Sequence, residues 1–213
     1  MDELTDNSTA RHFKNLSRPT GEGVVIDLGT GDGTFVYQSA RRNPSKFYLG
    51  IDANPRPLEK ISKKIHRKPA KGGAPNALFL QHAVEDLPVE LAGFADEVHV
   101  HFPWGSLLRA VAVGDVSVMS GIRRICSPDA LLEVVVGSDP ERDQAELNRL
   151  GVPPVTLDLV DTLVDPYRAA GFEIFERGVI APADWPKFHT AWAKRLQFSS
   201  TRSLIYWIAR AID

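Results

Sequence analysis

The chain has 213 residues, 43% hydrophobic and 24% charged, which is enough for one well-buried α/β domain and argues against disorder. A net charge of −2 says nothing by itself about nucleic acid, and the lone Cys126 excludes an internal disulfide and points to a reducing compartment. No apolar segment approaches the roughly 18 residues of a membrane span, and the polar start MDELTDNSTARH has no signal-peptide core, so a cytoplasmic protein without membrane contact is expected.

VVIDL (24–28) is an apolar run that leads into glycines, and a helix should follow over about 34–42. FYLGI (47–51) is a second strand, closed by Asp52. Asn54 suits an N-cap with Pro55 at the first helical position, and Leu58, Ile61 and Ile65 share one face of the helix that follows. ALFL (77–80) and residues 96–102 are the third and fourth strands, and a helix over 113–125 precedes a fifth, ALLEVVV (130–136). A helix around 157–170 stops at Gly171, and GFEIFERG (171–178) and SLIYWIAR (203–210) finish as strands. No repeat or low-complexity linker divides the chain, so one domain over 1–213 is expected. Strands alternating with helices imply an α/β fold whose mostly parallel sheet carries helices on both faces. Ligands of such a sheet sit at the carboxyl ends of its strands.

The first strand runs into DLGTGDG (27–33), where Gly29, Gly31 and Gly33 permit positive φ and let backbone approach a ligand closely. Asp52 matches this loop, because an acid at the end of the second strand can accept hydrogen bonds from both ribose hydroxyls of a nucleoside. The bland alternative is a tight turn beside a surface Asp. The Gly-x-Gly-x-Gly spacing differs from the Gly-x-Gly-x-x-Gly that usually cradles a pyrophosphate, and Asp27 and Asp32 flank it. Negative charge there suits a ligand with an amino group and a sulfonium, which favours S-adenosylmethionine over NAD. The pattern resembles the class I methyltransferases over about 24–136. In those enzymes the acid after the third strand lies beside adenine, a place that Ala83, Val84 and Glu85 of HAVED fit. Glu85 and Asp86 could equally cap a short helix.

After the fourth strand comes HFPWGSLL (101–108). Within it Phe102, Pro103, Trp104 and Gly105 offer no side chain to accept a proton from an exocyclic amine; what remains is the aromatic face of Trp104. An indole at a site mouth suits stacking on a base, worth about 1–3 kcal/mol. Trp192, in TAWAKRL (190–196), falls on another connection at the same sheet edge, so the two rings could sandwich a flipped base. Against this, either ring could be core, with Trp192 packing an amphipathic helix over 184–196 onto the sheet. Trp207, in an apolar strand pattern, and Trp185, before a Pro, read as structural.

HFPWGSLL and TAWAKRL together resemble the aminoglycoside-resistance 16S rRNA (adenine-1408-N1) methyltransferases of the Kam/Npm type, over nearly the whole chain. The resemblance implies a Rossmann-like class I fold with a seven-stranded sheet and an antiparallel last strand. It implies S-adenosylmethionine as cofactor and methylation of adenine N1 in the decoding site of the assembled 30S subunit, with protection against kanamycin- and apramycin-type drugs, by a monomer. It further implies that Trp104 and Trp192 hold the flipped adenine, that Ser106 and Thr190 contact substrate or cofactor, and that Arg195 and Arg202 meet phosphates near the target. Between those two arginines this chain reads SerSerThr where relatives carry another Arg.

Basic residues are unevenly spread. Arg56, Lys60, Lys63, Lys64, Arg67, Lys68 and Lys71 face only Glu59 within 56–71, and Lys187, Lys194, Arg195 and Arg202 stand without an acid over 187–202. Such stripes bind phosphates without reading sequence, although a solvated helix face is the commoner reason for them. With Arg142 and Arg149 of PERDQAELNR (140–149), the link at about 56–76 and inserts at about 137–156 and 179–202 form the expected RNA-facing surface. Six His and one Cys show no zinc-ligand spacing, and His99 and His101 read as strand residues. A tRNA guanine-N7 methyltransferase is the nearest rival, but its Phe-Pro-Asp-Pro-Trp signature lacks a counterpart here. A non-catalytic RNA-binding domain is the other.

Overall fold

The computed structural model describes residues 21–137, 139–180 and 204–213. Seven strands form one sheet: β1 (Val24–Leu28), β2 (Phe47–Asp52), β3 (Ala77–Gln81), β4 (Ala95–His101), β5 (Cys126–Gly137), β6 (Phe172–Ile180) and β7 (Leu204–Ala211). Their order is β3-β2-β1-β4-β5-β7-β6. β7 runs antiparallel to both neighbours, and the remaining pairs are parallel. The α/β architecture with an antiparallel last strand is therefore as expected. All five residues of β1 are buried, as a central strand covered on both faces requires.

Alternation along β1 separates two cores. Val24, Ile26 and Leu28 belong to the larger one, Val25 to the smaller. The smaller core is closed by α1 (Thr34–Arg42), through Val36, Tyr37 and Ala40, and by α2 (Glu59–Ile65), through Ile65. The larger is closed by α3 (Gly105–Val113), α4 (Val116–Ile125), α5 (Pro140–Leu150), α6 (Leu157–Thr162) and α7 (Val164–Ala169).

Several expected boundaries are corrected. The helix expected over 113–125 is preceded by a separate one, α3, and the break falls at Gly114 (φ 63) and Asp115. Asp115 accepts the Val118 N–H at 3.3 Å, and a Cβ at Gly114 would lie 2.7 Å from Pro166. The span 140–149, expected as part of an insert with no assigned helix, is the helix α5. The single helix expected around 157–170 is two, since Pro166 has no N–H to continue the ladder from α6. The helix after β2 starts as a 3-10 turn at Arg56–Leu58, so Pro55 stands just before it while Asn54 accepts the Arg56 N–H at 3.2 Å. β5 begins at Cys126 rather than 130, with a register shift against β4 and Asp129 at φ 59. The helix expected over 184–196 and Trp185 lie outside the described residues. No single helix among the described residues is long and apolar enough to cross a membrane.

Trp207 is fully buried, the structural residue the strand pattern indicated. Its indole N–H donates to the Tyr167 hydroxyl at 2.9 Å, and that hydroxyl donates to the Val111 carbonyl at 3.0 Å. Burial holds the phenol far above its ordinary pKa, so it stays a donor at any physiological pH. Tyr167→Phe leaves the indole N–H and a carbonyl unsatisfied in the core and should cost about 1–3 kcal/mol, measured by urea denaturation.

Candidate cofactor and base site

The carboxyl ends of β1, β2, β3 and β4 converge on a cavity of about 430 Å³, within the range of small-molecule sites. It straddles the place where strand order turns back between β1 and β4, the usual ligand position in such sheets. Gly29 and Gly31 line it from the first loop, Asp52, Ala53 and Asn54 from the second strand's end, and His82, Ala83, Val84 and Glu85 from the third's. Phe102, Pro103, Trp104 and Ser106 line it from the fourth.

The loop after β1 is fixed by hydrogen bonds to the neighbouring strand. Gly29 and Thr30 both donate to the Ile51 carbonyl, at 2.8 and 3.1 Å, and the Gly31 N–H donates to Asp52 Oδ2 at 2.8 Å. The other carboxylate oxygen of Asp52 accepts the Asn54 N–H at 2.8 Å. Each oxygen retains a lone pair, so the acid remains competent to receive ligand hydroxyls. Gly31 has φ 59, and a Cβ there would meet nothing within 4 Å.

Two other loop residues have different surroundings. Asp27 is buried beneath the loop, accepts the Thr30 hydroxyl at 2.6 Å, and is not among the lining residues. Burial raises its pKa, against the opposing pull of His101, Thr30 and His99. Gly33 also lies off the cavity wall: a Cβ there would overlap the Phe79 ring at 2.6 Å and Ile61 at 2.8 Å. It serves helix–sheet packing. Asp32 accepts the Thr34 N–H at 3.0 Å at the start of α1. Val84–Asp86 form one 3-10 turn whose first two residues line the cavity, so Glu85 belongs both to a short helix and to the wall.

Trp104 is 49% exposed and lines the cavity, so of the two readings of this ring the core one is excluded. Among the lining residues there are two carboxylates, Asp52 and Glu85, and no Lys or Arg. Such a wall repels a diphosphate and suits a cationic ligand. Sequence reasoning did not assign Asn54, His82 or Phe102 to the site; His82 and Phe102 directly follow strand ends and Asn54 lies two residues past one, which was the available signal.

The basic tract runs from the cavity edge, after Asp52, back to the start of β3 at Ala77. Lys60, Lys63, Arg67, Lys68 and Lys71 are exposed. Lys64 differs: its ammonium lies 4.2 Å from the centre of the Tyr37 ring. Burial would raise the Tyr37 pKa, but hydrogen bonds with Arg41 and Lys64 outweigh it and lower it. Arg149 also departs from a free basic surface, since Glu146 accepts from it through both oxygens at 2.6 and 2.7 Å. Trp192, Thr190, Lys187, Lys194, Arg195 and Arg202 lie outside the described residues, and the side chain of Arg142 is likewise not described.

Residues 5–211 match the family model NpmA, described as 16S rRNA (adenine(1408)-N(1))-methyltransferase. An Escherichia coli protein of that name is 37% identical over 184 residues, 84% of this chain and 83% of its own length. Among solved structures, the aminoglycoside resistance methyltransferase NpmB1 is 52% identical with a TM-score of 0.79, covering 91% of this chain and 89% of that one. A tryptophan-to-alanine variant of the Catenulisporales acidiphilia 16S rRNA (adenine(1408)-N(1))-methyltransferase, solved with its cosubstrate SAM, is 31% identical. It has a TM-score of 0.84 and covers 100% of this chain and 93% of that one.

The two loop glycines should separate in stability. Alanine at either position carries the left-handed backbone cost of about 1–2 kcal/mol, but Gly33→Ala adds steric overlap with Phe79 worth about 1–3 kcal/mol more. Thermal unfolding should therefore rank wild type above Gly31→Ala and Gly31→Ala above Gly33→Ala.

Proposed function

The chain belongs to the 16S rRNA (adenine(1408)-N(1))-methyltransferase family, and from that premise we propose that it methylates N1 of adenine 1408 of 16S rRNA within the assembled 30S subunit. The observation that carries the reading is Trp104, half exposed on the rim of a cavity walled by Asp52 and Glu85. S-adenosylmethionine fits the residues present: open space faces Gly31, and the lining has carboxylates without cations. Asp52 is the acceptor for its ribose hydroxyls, Ala83, Val84 and Glu85 flank its adenine, and the backbone of Gly29 and Gly31 gives it room. Asp27 acts through Thr30, holding the loop in shape. When bound, the cofactor supplies an electrophilic methyl group on a sulfonium.

Adenine N1 carries its own lone pair, so the chain need not provide a general base. Its contribution is to hold the base in line and exclude water, effects that can lower a barrier by about 7–11 kcal/mol. Trp104 offers a stacking face from one side and Trp192 from the other, with Ser106 and Thr190 beside them. The methylated base is a cation, which indole faces stabilise.

Docking is a separate matter from chemistry. Lys60, Lys63, Arg67, Lys68 and Lys71 on the tract, with Lys194, Arg195 and Arg202, meet phosphates and give steeply salt-dependent affinity. Lys64 and Arg149 contribute less, being engaged by Tyr37 and Glu146. A tract that extends from the cavity rim to the far edge of the sheet suits a large folded RNA, in keeping with a monomeric single-domain enzyme docking on the whole subunit. Methylation at this nucleotide protects the decoding site against kanamycin- and apramycin-type aminoglycosides.

Two measurements test the reading. Labelled methyl transfer should occur on 30S subunits and not on bulk tRNA, with free 16S rRNA a poorer substrate; transfer to tRNA alone would overturn it. Trp104→Ala should lower turnover by about 5- to 150-fold, the loss of one stacking interaction, while titration calorimetry finds cofactor affinity unchanged. A parallel loss of cofactor affinity would rule out the platform role.

A further inference from the structure

A second constellation lies behind the loop, on the sheet face that α1 covers. His99 and His101 are two apart on β4 and therefore share that face. On β5, Glu133 sits directly opposite His99 in register. The donor atoms of His99, His101 and Glu133 all lie within 4.8 Å of one another. His101 Nε2 is 2.6 Å from Glu133 Oε1, and the two imidazole centres are 4.9 Å apart. The ring of Phe35 stands edge-on to His101 at 5.1 Å and 5.5 Å from His99, forming an apolar wall.

Two features go beyond what a strand needs. The Nδ1 atom of His99 is buried without a hydrogen-bond partner among the described residues, a cost that stability alone would not select. Glu133 remains one-third exposed, so the cluster has a path to solvent. Glu97 stands beside His99, with Oε2 at 3.5 Å from Nε2, in the place of an outer carboxylate that orients a metal-bound imidazole.

We propose that His99, His101 and Glu133 form a binding site for a divalent first-row transition ion, zinc in the first instance. Two imidazoles and a carboxylate are the donor set such ions prefer, and three protein ligands leave a fourth position for water. Tetrahedral coordination at zinc sets donor atoms about 3.3 Å apart, so the 2.6 Å His101–Glu133 pair opens while the wider separations close, with the one-third-exposed Glu133 the side chain that has room to move. Binding requires the proton between His101 Nε2 and Glu133 Oε1 to leave that position, so that the neutral imidazole carries its proton on Nδ1 and the carboxylate is ionised. The ion would clamp β4 to β5 behind Asp27, which pairs with His99 in the β1–β4 register. Its role is structural and independent of methyl transfer.

The test uses the full chain after chelator treatment, with Co²⁺ as an absorption probe and Zn²⁺ in calorimetry. One equivalent of Co²⁺ should give the strong visible bands of a low-coordinate site, and Zn²⁺ should displace it and raise the melting temperature. Loss of even an outer partner costs about 10–100-fold in metal affinity. Glu133→Gln, which keeps the side chain's shape, should therefore weaken binding at least about tenfold, and His99→Ala should abolish the bands. Mg²⁺, which shuns nitrogen donors, should not compete. Absence of stoichiometric binding, or binding that survives both substitutions, would overturn the proposal.

Discussion

One hydrogen bond organises the binding edge: the Gly31 N–H held by the carboxylate of Asp52 at 2.8 Å. Parallel pairing of β1 with β2 brings the two strand ends side by side, with Leu28 opposite Ile51. The loop then folds over the end of β2, donating three N–H groups to Ile51 and Asp52. An ionised acceptor strengthens such a bond well above a neutral one. The consequence is a rigid loop whose glycine turns away from the sheet and leaves a negatively charged hollow. Gly50 supports this from below, because a Cβ there would strike both Phe79 and Thr30.

Charge is partitioned accordingly. Acids line the hollow, while bases occupy the tract that leads away from it. For a nucleic-acid substrate this arrangement separates the parts of a nucleotide: phosphates are attracted to the outer surface and repelled from the cavity, and only an uncharged base can enter at low cost. The partition is sharper in space than in sequence. Lys64 is partly withdrawn from solvent by lying on Tyr37, and Arg149, though exposed, has its charge paired with Glu146. The charge count alone overstates the surface available to phosphate.

What could be read before any coordinates follows from which forces are local. Strands with continuous apolar runs, the glycine turn and Asp52 announced themselves, because burial and positive φ restrict residue type at the position itself. Helix breaks did not. Gly114 breaks a periodic pattern because its missing Cβ admits Pro166 from a distant helix, a contact no window of sequence contains. The same limit applied to Gly33, which shares its spacing with Gly31 yet faces Phe79 and Ile61 rather than the cavity. It applied again to His99 and His101, whose alternation read as plain strand because Glu133, the third member, comes from the neighbouring strand.

The turn that presents Trp104 explains why a strand ends as HFPW. Phe102 donates the last ladder bond, to the Val135 carbonyl at 2.7 Å, and then adopts φ 53. A non-glycine residue in the left-handed region costs about 1–2 kcal/mol, and the following Pro disfavours the helical alternative as well. Pro103 cannot extend the ladder, because it has no N–H. Trp104 is extended, at φ −137 and ψ 163, and Gly105 at φ 59 lets α3 begin immediately afterwards. The ring is thus set between two backbone reversals anchored to β5 and to α3, rather than on a flexible loop. Strain of this kind persists only where surrounding structure over-determines it, and here the β4–β5 pairing does so. A large apolar ring is thereby left half in water at the mouth of the cavity.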